Sequence, residues 1–352
     1  MRAFSAADSV SLAIQRTREF LFSSFSWGTY LKLGLIAIIT EGSWSSLRSS
    51  SNGGSHRSGQ GGPMISSPFH IPAAWIAASV AAVLLGIVVS LFVLYLITRL
   101  RFAFFHCLIH KTKEIRPGWH LYREPATRFF WLNVVVGFCF VALVGLLSLP
   151  FVAGFWRLFR EIRRAGHPDI GMVLSLVLPL IPIIMVLVLV GLVTDLVLRD
   201  LMMPHYALDN ATAREAWTEV WASMKAEHRQ FLAYILLRVV LPTIAMVAVF
   251  MVLLIPGAIL AGAFGAIEYG VHSAFANSTG GAAVAGSMLQ VFFGLVALVF
   301  MALAGICLGA PLSTGIREYA LMFYGGRYPV LGNILDPPAA QLPPLPGASV
   351  VA

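Results

Sequence analysis

Long runs without a charged residue alternate with short basic stretches along this chain. The clearest run extends from Ile71 to Thr98 and stops against Arg99 and Arg101. At about 1.5 Å of rise per residue, a helix of that length is longer than the hydrocarbon core of a bilayer requires, even when tilted. The same pattern recurs, and it predicts an all-α fold: a polytopic transmembrane helical bundle of about six spans, near 27–42, 72–98, 129–156, 170–198, 230–263 and 287–316. The first of these is the shortest and contains Lys32, whose stem would have to snorkel toward the headgroups. Prolines fall inside the runs at Pro150, Pro179, Pro182, Pro242, Pro256 and Pro311. Each removes a backbone hydrogen bond that lipid cannot replace, so each marks either a kink packed against a neighbour or a broken helix lining a cavity.

The segments outside the runs read differently. Residues 1–26 lack the apolar core and cleavage site of a signal peptide and are expected to be retained. Val10, Ile14, Thr17 and Leu21 recur there at three- and four-residue steps, as in an amphipathic helix lying at the interface. Residues 43–70 are rich in Ser and Gly and are expected to be a disordered loop. Residues 325–352 form a Pro-rich tail, read as disordered, with a polyproline II ligand as the alternative.

Composition supports the membrane reading. Hydrophobic residues make up 58% and charged residues 11% of the 352 positions, against roughly 45–50% and 25% in soluble domains. Cys107, Cys139 and Cys307 stand apart in apolar surroundings and imply neither a disulfide framework nor a zinc ribbon. The net charge of +8 is spread along the borders of apolar runs. That distribution points to the lipid bilayer and its anionic headgroups as partner, with no nucleic acid. Counted over six spans, 16 Lys and Arg fall in one set of loops and six in the other, which predicts cytoplasmic termini in a multi-pass protein of a bacterial inner membrane. Arg157, Arg160, Arg163 and Arg164 then lie outside, against the local rule.

Two cytoplasmic hairpins, 99–128 and 199–229, share an order of features. Arg99, His106 to His110, Trp119 and Phe129 in the first correspond to Arg199, His205 to Asp209, Trp217 and Phe231 in the second. This is either an internal repeat or the common need of membrane hairpins for basic and aromatic flanks. Within the second, Thr212 and Glu215 fit a capping box, and Trp217, Val220, Trp221 and Met224 fall on one helical face. Such a face suits the headgroup layer, or alternatively a protein partner.

The string from Leu198 to Pro204, the Glu215-Ala-Trp217 motif and the stretch from Phe231 to Arg238 resemble a diffuse group of uncharacterised bacterial multi-pass membrane proteins. That group is similar to the membrane domain attached to some glycerophosphodiester phosphodiesterases. Arg101-Phe102, and Trp27 with Leu31 to Gly34, fit the same pattern. No separate phosphodiesterase domain is read in these 352 residues, so that activity is not carried over, and the resemblance implies a bacterial inner-membrane bundle.

Ionisable residues inside apolar runs are candidate functional groups because each is expensive there unless paired. Asp195, Arg199, Asp200 and Arg238 form such a polar set, with Asp195 expected to pair with Arg199 or Arg238. His106 and His110 have ligand spacing but only two ligands are placed, so no metal and no cofactor are expected. Glycine-rich phosphate loops, paired catalytic carboxylates and nucleophile elbows are not found, and no catalytic residue is assigned. The leading expectation is a non-enzymatic membrane module supporting transport or envelope and membrane assembly. The alternatives are a transporter of a lipid or small molecule, or a lipid-active enzyme. The enzyme requires convergent His, Asp or Glu at one interface, a requirement Asp195, Asp200 and His205 meet only loosely.

Overall fold

The structure is a computed structural model and describes residues 5–23, 25–41, 73–165, 170–275 and 280–336. The loop expected at 43–70 and the tail beyond 336 lie outside the described residues. Among the described residues all regular elements are helices: α1 (Asp8–Phe22), α2 (Trp27–Glu41), α3 (Ala73–Ile109), α4 (Arg116–Leu121), α5 (Arg123–Ala165) and α6 (Ile170–Leu196). A π-helical turn (Val197–Met202) follows, then α7 (Met203–Leu208), α8 (Ala213–Ala226), α9 (His228–Phe275), α10 (Gly281–Gly325) and α11 (Pro329–Leu335). Helices dominate because hydrocarbon offers the backbone no hydrogen-bonding partner, and a helix satisfies its own N–H and C=O groups.

Among the described residues five helical stretches are long and apolar enough to cross a bilayer: Ala78–Ile109, Arg123–Arg163, Val173–Leu208, His228–Phe275 and Val284–Gly325. The span expected first, at 27–42, differs. Helix α2 has 15 residues, about 22 Å of rise, which falls short of a hydrocarbon core of about 30 Å. Its Tyr30, Leu33 and Ala37 are buried against protein. The long helices run through Pro150, Pro179, Pro182, Pro242, Pro256 and Pro311 without interruption. Among the described residues these prolines therefore do not divide a span into half-helices.

The chain divides into two compact units, one built from residues 119–235 with those from 323 onward, the other from 4–118 with 236–322. In the first unit the core comprises Phe129, Leu201, Met203, Tyr206, Val220, Phe231, Tyr234, Phe323 and Leu331. Phe231 meets Phe323 edge-on and Tyr234 stacks on it at 4.3 Å. Within the stretch read as tail from 325, residues 329–335 form α11, with Leu331 and Leu335 buried. On α5, exposed Trp131 and Trp156 stand 25 residues apart, about 37 Å along the helix, close to a bilayer with its headgroups. That is the spacing tryptophans at two membrane–water interfaces require. Arg160 and Arg163 lie over the Trp156 and Phe159 rings.

In the second unit α1, α2 and the ends of α3 and α10 enclose Phe20, Leu33, Phe102, Phe105, Leu108 and Tyr319. Gly34 is required there: a Cβ on it would lie 2.6 Å from Ala310 Cβ. Helix α1 forms, but its buried face is Ser9, Ala13, Arg16, Thr17, Phe20 and Leu21, while Ile14 of the expected apolar stripe is 64% exposed. The cause is Arg16, which turns inward to reach Glu318 and the Leu108 carbonyl. In both units burial is confined to these cores. In four of the five long helices no residue of the most apolar stretch is buried, and in the fifth 6% are. Side chains such as Phe138, Val141 and Leu146 are more than 60% exposed. Apolar surface of that extent, on helices long enough to cross a bilayer, fits a membrane protein.

Candidate functional site

The polar side chains of the first unit gather where α6 gives way to α7 and α8. Pro204 has no N–H to return to the Asp200 carbonyl, and the ladder widens just upstream into the π turn, with Met203 N–H donating to Leu198 O. All six residues of that turn are buried, Arg199 and Asp200 among them. Arg199 Nη1 lies 3.7 Å from Asp195 Oδ2 and its Nε 3.8 Å from Asp200 Oδ1. The Tyr234 hydroxyl donates to Asp200 Oδ2 at 2.8 Å. Asp195, Arg199 and Asp200 are thus brought together. The described carboxylate facing Arg238 is Glu41 of the second unit, at 3.3 Å. Arg317 also faces Glu41, at 3.8 Å. The Asp195 side chain is 59% exposed, whereas the two contacts of Glu41 are buried, and there neither partner can be removed alone without leaving an uncompensated charge.

Directly after Pro204, buried His205 forms the centre of a second polar cluster. Its Nδ1 lies 3.1 Å from Glu219 Oε2 and 3.8 Å from Asp209 Oδ2. Its Nε2 is 2.6 Å from the Tyr324 hydroxyl. The Tyr328 hydroxyl donates to Asp209 Oδ2, and the Tyr328 ring packs 4.2 Å from the imidazole. Burial first, and then the bond to Asp209, push the Tyr328 phenol well above its ordinary range, so it is a protonated donor. The imidazole is almost fully enclosed, whereas the Asp209 and Glu219 side chains are 39% and 61% exposed. The cluster therefore has a buried nitrogen and an open carboxylate edge.

Helix α8 presents the expected face in two halves. Val220 is buried together with Ala216, while Trp217 and Trp221 are 47% and 45% exposed and Met224 is half-buried. The two indoles stack with ring centres 5.8 Å apart, and Lys225 lies over Trp221. The capping box forms as read: Thr212 Oγ1 accepts from Glu215 N–H and Glu215 Oε2 accepts from Thr212 N–H. These hydrogen bonds hold the Glu215 carboxyl below its usual range. At the far end of α8, Arg327 Nε and Nη2 donate to Glu227 Oε2 at 2.9 and 2.7 Å. The guanidinium also stacks 4.0 Å from the Phe323 ring.

His106 and His110, the pair with ligand spacing in the sequence, lie with rings 4.5 Å apart. Sequence reasoning gave His205 only a loose role and did not name Asp209 or Glu219 as its partners. The signal available was the i, i+4 spacing of His205 and Asp209 on a short helix, and Glu219 joins them only because the chain bends between α7 and α8. The sequence pattern of a family of unknown function (DUF7544) matches residues 4–334 of this chain. No curated protein and no solved structure matches it.

Proposed function

Because the chain belongs to this family of unknown function, whose pattern runs through both units, its role has to be derived from its own residues, and we propose that it is a non-enzymatic multi-pass module of a bacterial inner membrane, supporting transport or envelope and membrane assembly through its cytoplasmic face. The observation that carries this reading is the exposed, stacked Trp217–Trp221 pair on α8, beside a buried Ala216–Val220 stripe. A solvated helix has no reason to expose two indoles, whereas a headgroup layer or a docked partner rewards them. The sixteen Lys and Arg of the expected cytoplasmic loops favour that side for α8. The Arg16–Glu318 pair, which ties α1 to the end of α10, supports placing the amino-terminal helix and the end of the last span on one face.

A photo-crosslinking residue in place of Trp217 or Trp221, irradiated in cells, tests the reading. A discrete protein adduct, lost when crosslinking is moved to exposed Leu232, supports it. Lipid adducts alone reduce α8 to an anchor and remove the partner contact. One observation favours a second reading, a lipid-active enzyme: the convergence of His205, Asp209 and Glu219 at a polar edge. Turnover of fluorescent phospholipid by the purified chain, abolished by His205→Ala, would replace the first reading with the second.

A further inference from the structure

The arrangement around His205 contains a feature that a purely structural hydrogen-bond network does not account for. His205 is 2% exposed, and its Nδ1 forms no hydrogen bond among the described residues, although Glu219 Oε2 lies 3.1 Å away. The oxygen is close to the nitrogen but off the line an N–H would take. A buried nitrogen left in that state is unfavourable. Two ligand atoms of one metal ion, by contrast, necessarily point at the ion and not at each other. Around an ion with bonds of about 2.1 Å, neighbouring ligand atoms stand about 3.0–3.4 Å apart in octahedral or tetrahedral geometry. The His205–Glu219 separation falls in that interval. Asp209 is slightly wider at 3.8 Å, and all three donor atoms lie within 4.8 Å of one another.

The outer partners are those a metal site uses. Ligating imidazoles are oriented by a hydrogen bond at the other ring nitrogen, and ligating carboxylates by a donor of their own. Tyr324 occupies the first role at His205 Nε2, and Tyr328 the second at Asp209. With the Nδ1 lone pair directed at an ion, the ring proton sits on Nε2 and is donated to the Tyr324 oxygen.

The geometry points to a divalent first-row metal ion, of the zinc or manganese class, bound by His205 Nδ1, Asp209 and Glu219. One imidazole and two carboxylates form a borderline-to-hard donor set that suits these ions. Three protein ligands leave at least one coordination position open, on the side where the two carboxylates are exposed. The ion would join α7 to α8, and through the two tyrosines to the end of α10 and to α11. This goes beyond the module reading and does not depend on it, because either a structural clip or a reactive centre would bind metal in the same way.

The test uses the full chain, purified in detergent, stripped with EDTA and dialysed into metal-free buffer. Titration with Zn(II) and with Mn(II), followed by metal analysis after gel filtration, is expected to give one equivalent of at least one ion. Glu219→Gln and Asp209→Asn are each expected to weaken binding at least tenfold while eluting as the unsubstituted protein does. Glu219→Gln is the safer variant, since its side chain is mostly exposed. His106→Ala serves as control and is expected to bind as the unsubstituted protein does. Absence of stoichiometric metal, or retention unaffected by both carboxylate variants, overturns the assignment. In the first case the three side chains do not form an ion site, and in the second the ion is held elsewhere.

Discussion

The Arg16–Glu318 pair provides a quantitative test of whether α1 is packed into the second unit or lies free at the headgroups. Arg16 Nε is 3.1 Å from Glu318 Oε2, with side chains 9% and 0% exposed, and Arg16 Nη2 donates to the Leu108 carbonyl at 3.0 Å. With an effective permittivity of about 20, two unit charges at that distance attract by about 5 kcal/mol. Desolvation of both groups offsets much of this, so the pair adds little net stability compared with two apolar side chains. Removing one partner is different, since it strands a buried charge and is expected to destabilise by about 3–5 kcal/mol. Arg16→Met and Glu318→Met should each show that loss. The double variant should lose much less than their sum, retaining a deficit of about 1–3 kcal/mol from the Leu108 carbonyl left without its donor. Unfolding of the detergent-solubilised full chain by SDS, followed by tryptophan fluorescence, supplies the four free energies of the cycle. Single variants within 1 kcal/mol of the parent, or a double equal to the sum of the singles, would refute the packing of α1 against α10.

Other outcomes follow from the geometry. Gly34→Leu places a side chain where even a Cβ would meet Ala310 Cβ at 2.6 Å, and overpacking of about 1–3 kcal/mol should lower the thermal transition. Gly28→Leu on the same helix, with nothing within 4 Å, should leave the thermal transition of the detergent-solubilised chain unchanged. Thr212→Ala should destabilise by about 1 kcal/mol through loss of the α8 cap. Because Glu215 is held below its ordinary value of 4.5, its contribution is present in full above that pH and fades as the pH falls through the lower folded value. The difference between parent and Glu215→Gln in SDS unfolding should therefore shrink on acidification from pH 7 toward pH 3. Arg327→Lys should lose about 1.5–3 kcal/mol, because an ammonium reproduces neither the paired bonds to Glu227 nor the stacking on Phe323. A loss no larger than that of an exposed Arg214→Lys would contradict this.

Much of the architecture was legible because the solvent imposes it. Charge-free runs such as Ile71 to Thr98 become helices wherever the surroundings are hydrocarbon, and the residues along them need no particular partner. The capping box at Thr212 and Glu215 was equally legible, since its donors and acceptors lie three residues apart on one turn. Periodicity was less informative about direction. It grouped Trp217, Val220, Trp221 and Met224 on one face, but whether the core receives the Val220 side or the tryptophan side depends on what packs against α8.

What the sequence determined by itself, then, was the helical membrane class, the approximate extent of the long helices and the local caps, because bilayer thickness and backbone hydrogen bonding act on contiguous residues. Only the tertiary structure decided which charges meet. Glu41 and Arg238 are 197 residues apart in the chain, and a charge pattern does not indicate which of many distant counter-ions the fold will deliver. The same holds for α2, which is apolar enough for a span and too short for one, and for His205, Asp209 and Glu219. Their donor atoms converge because a proline-linked π turn and the bend before α8 set the direction of the chain.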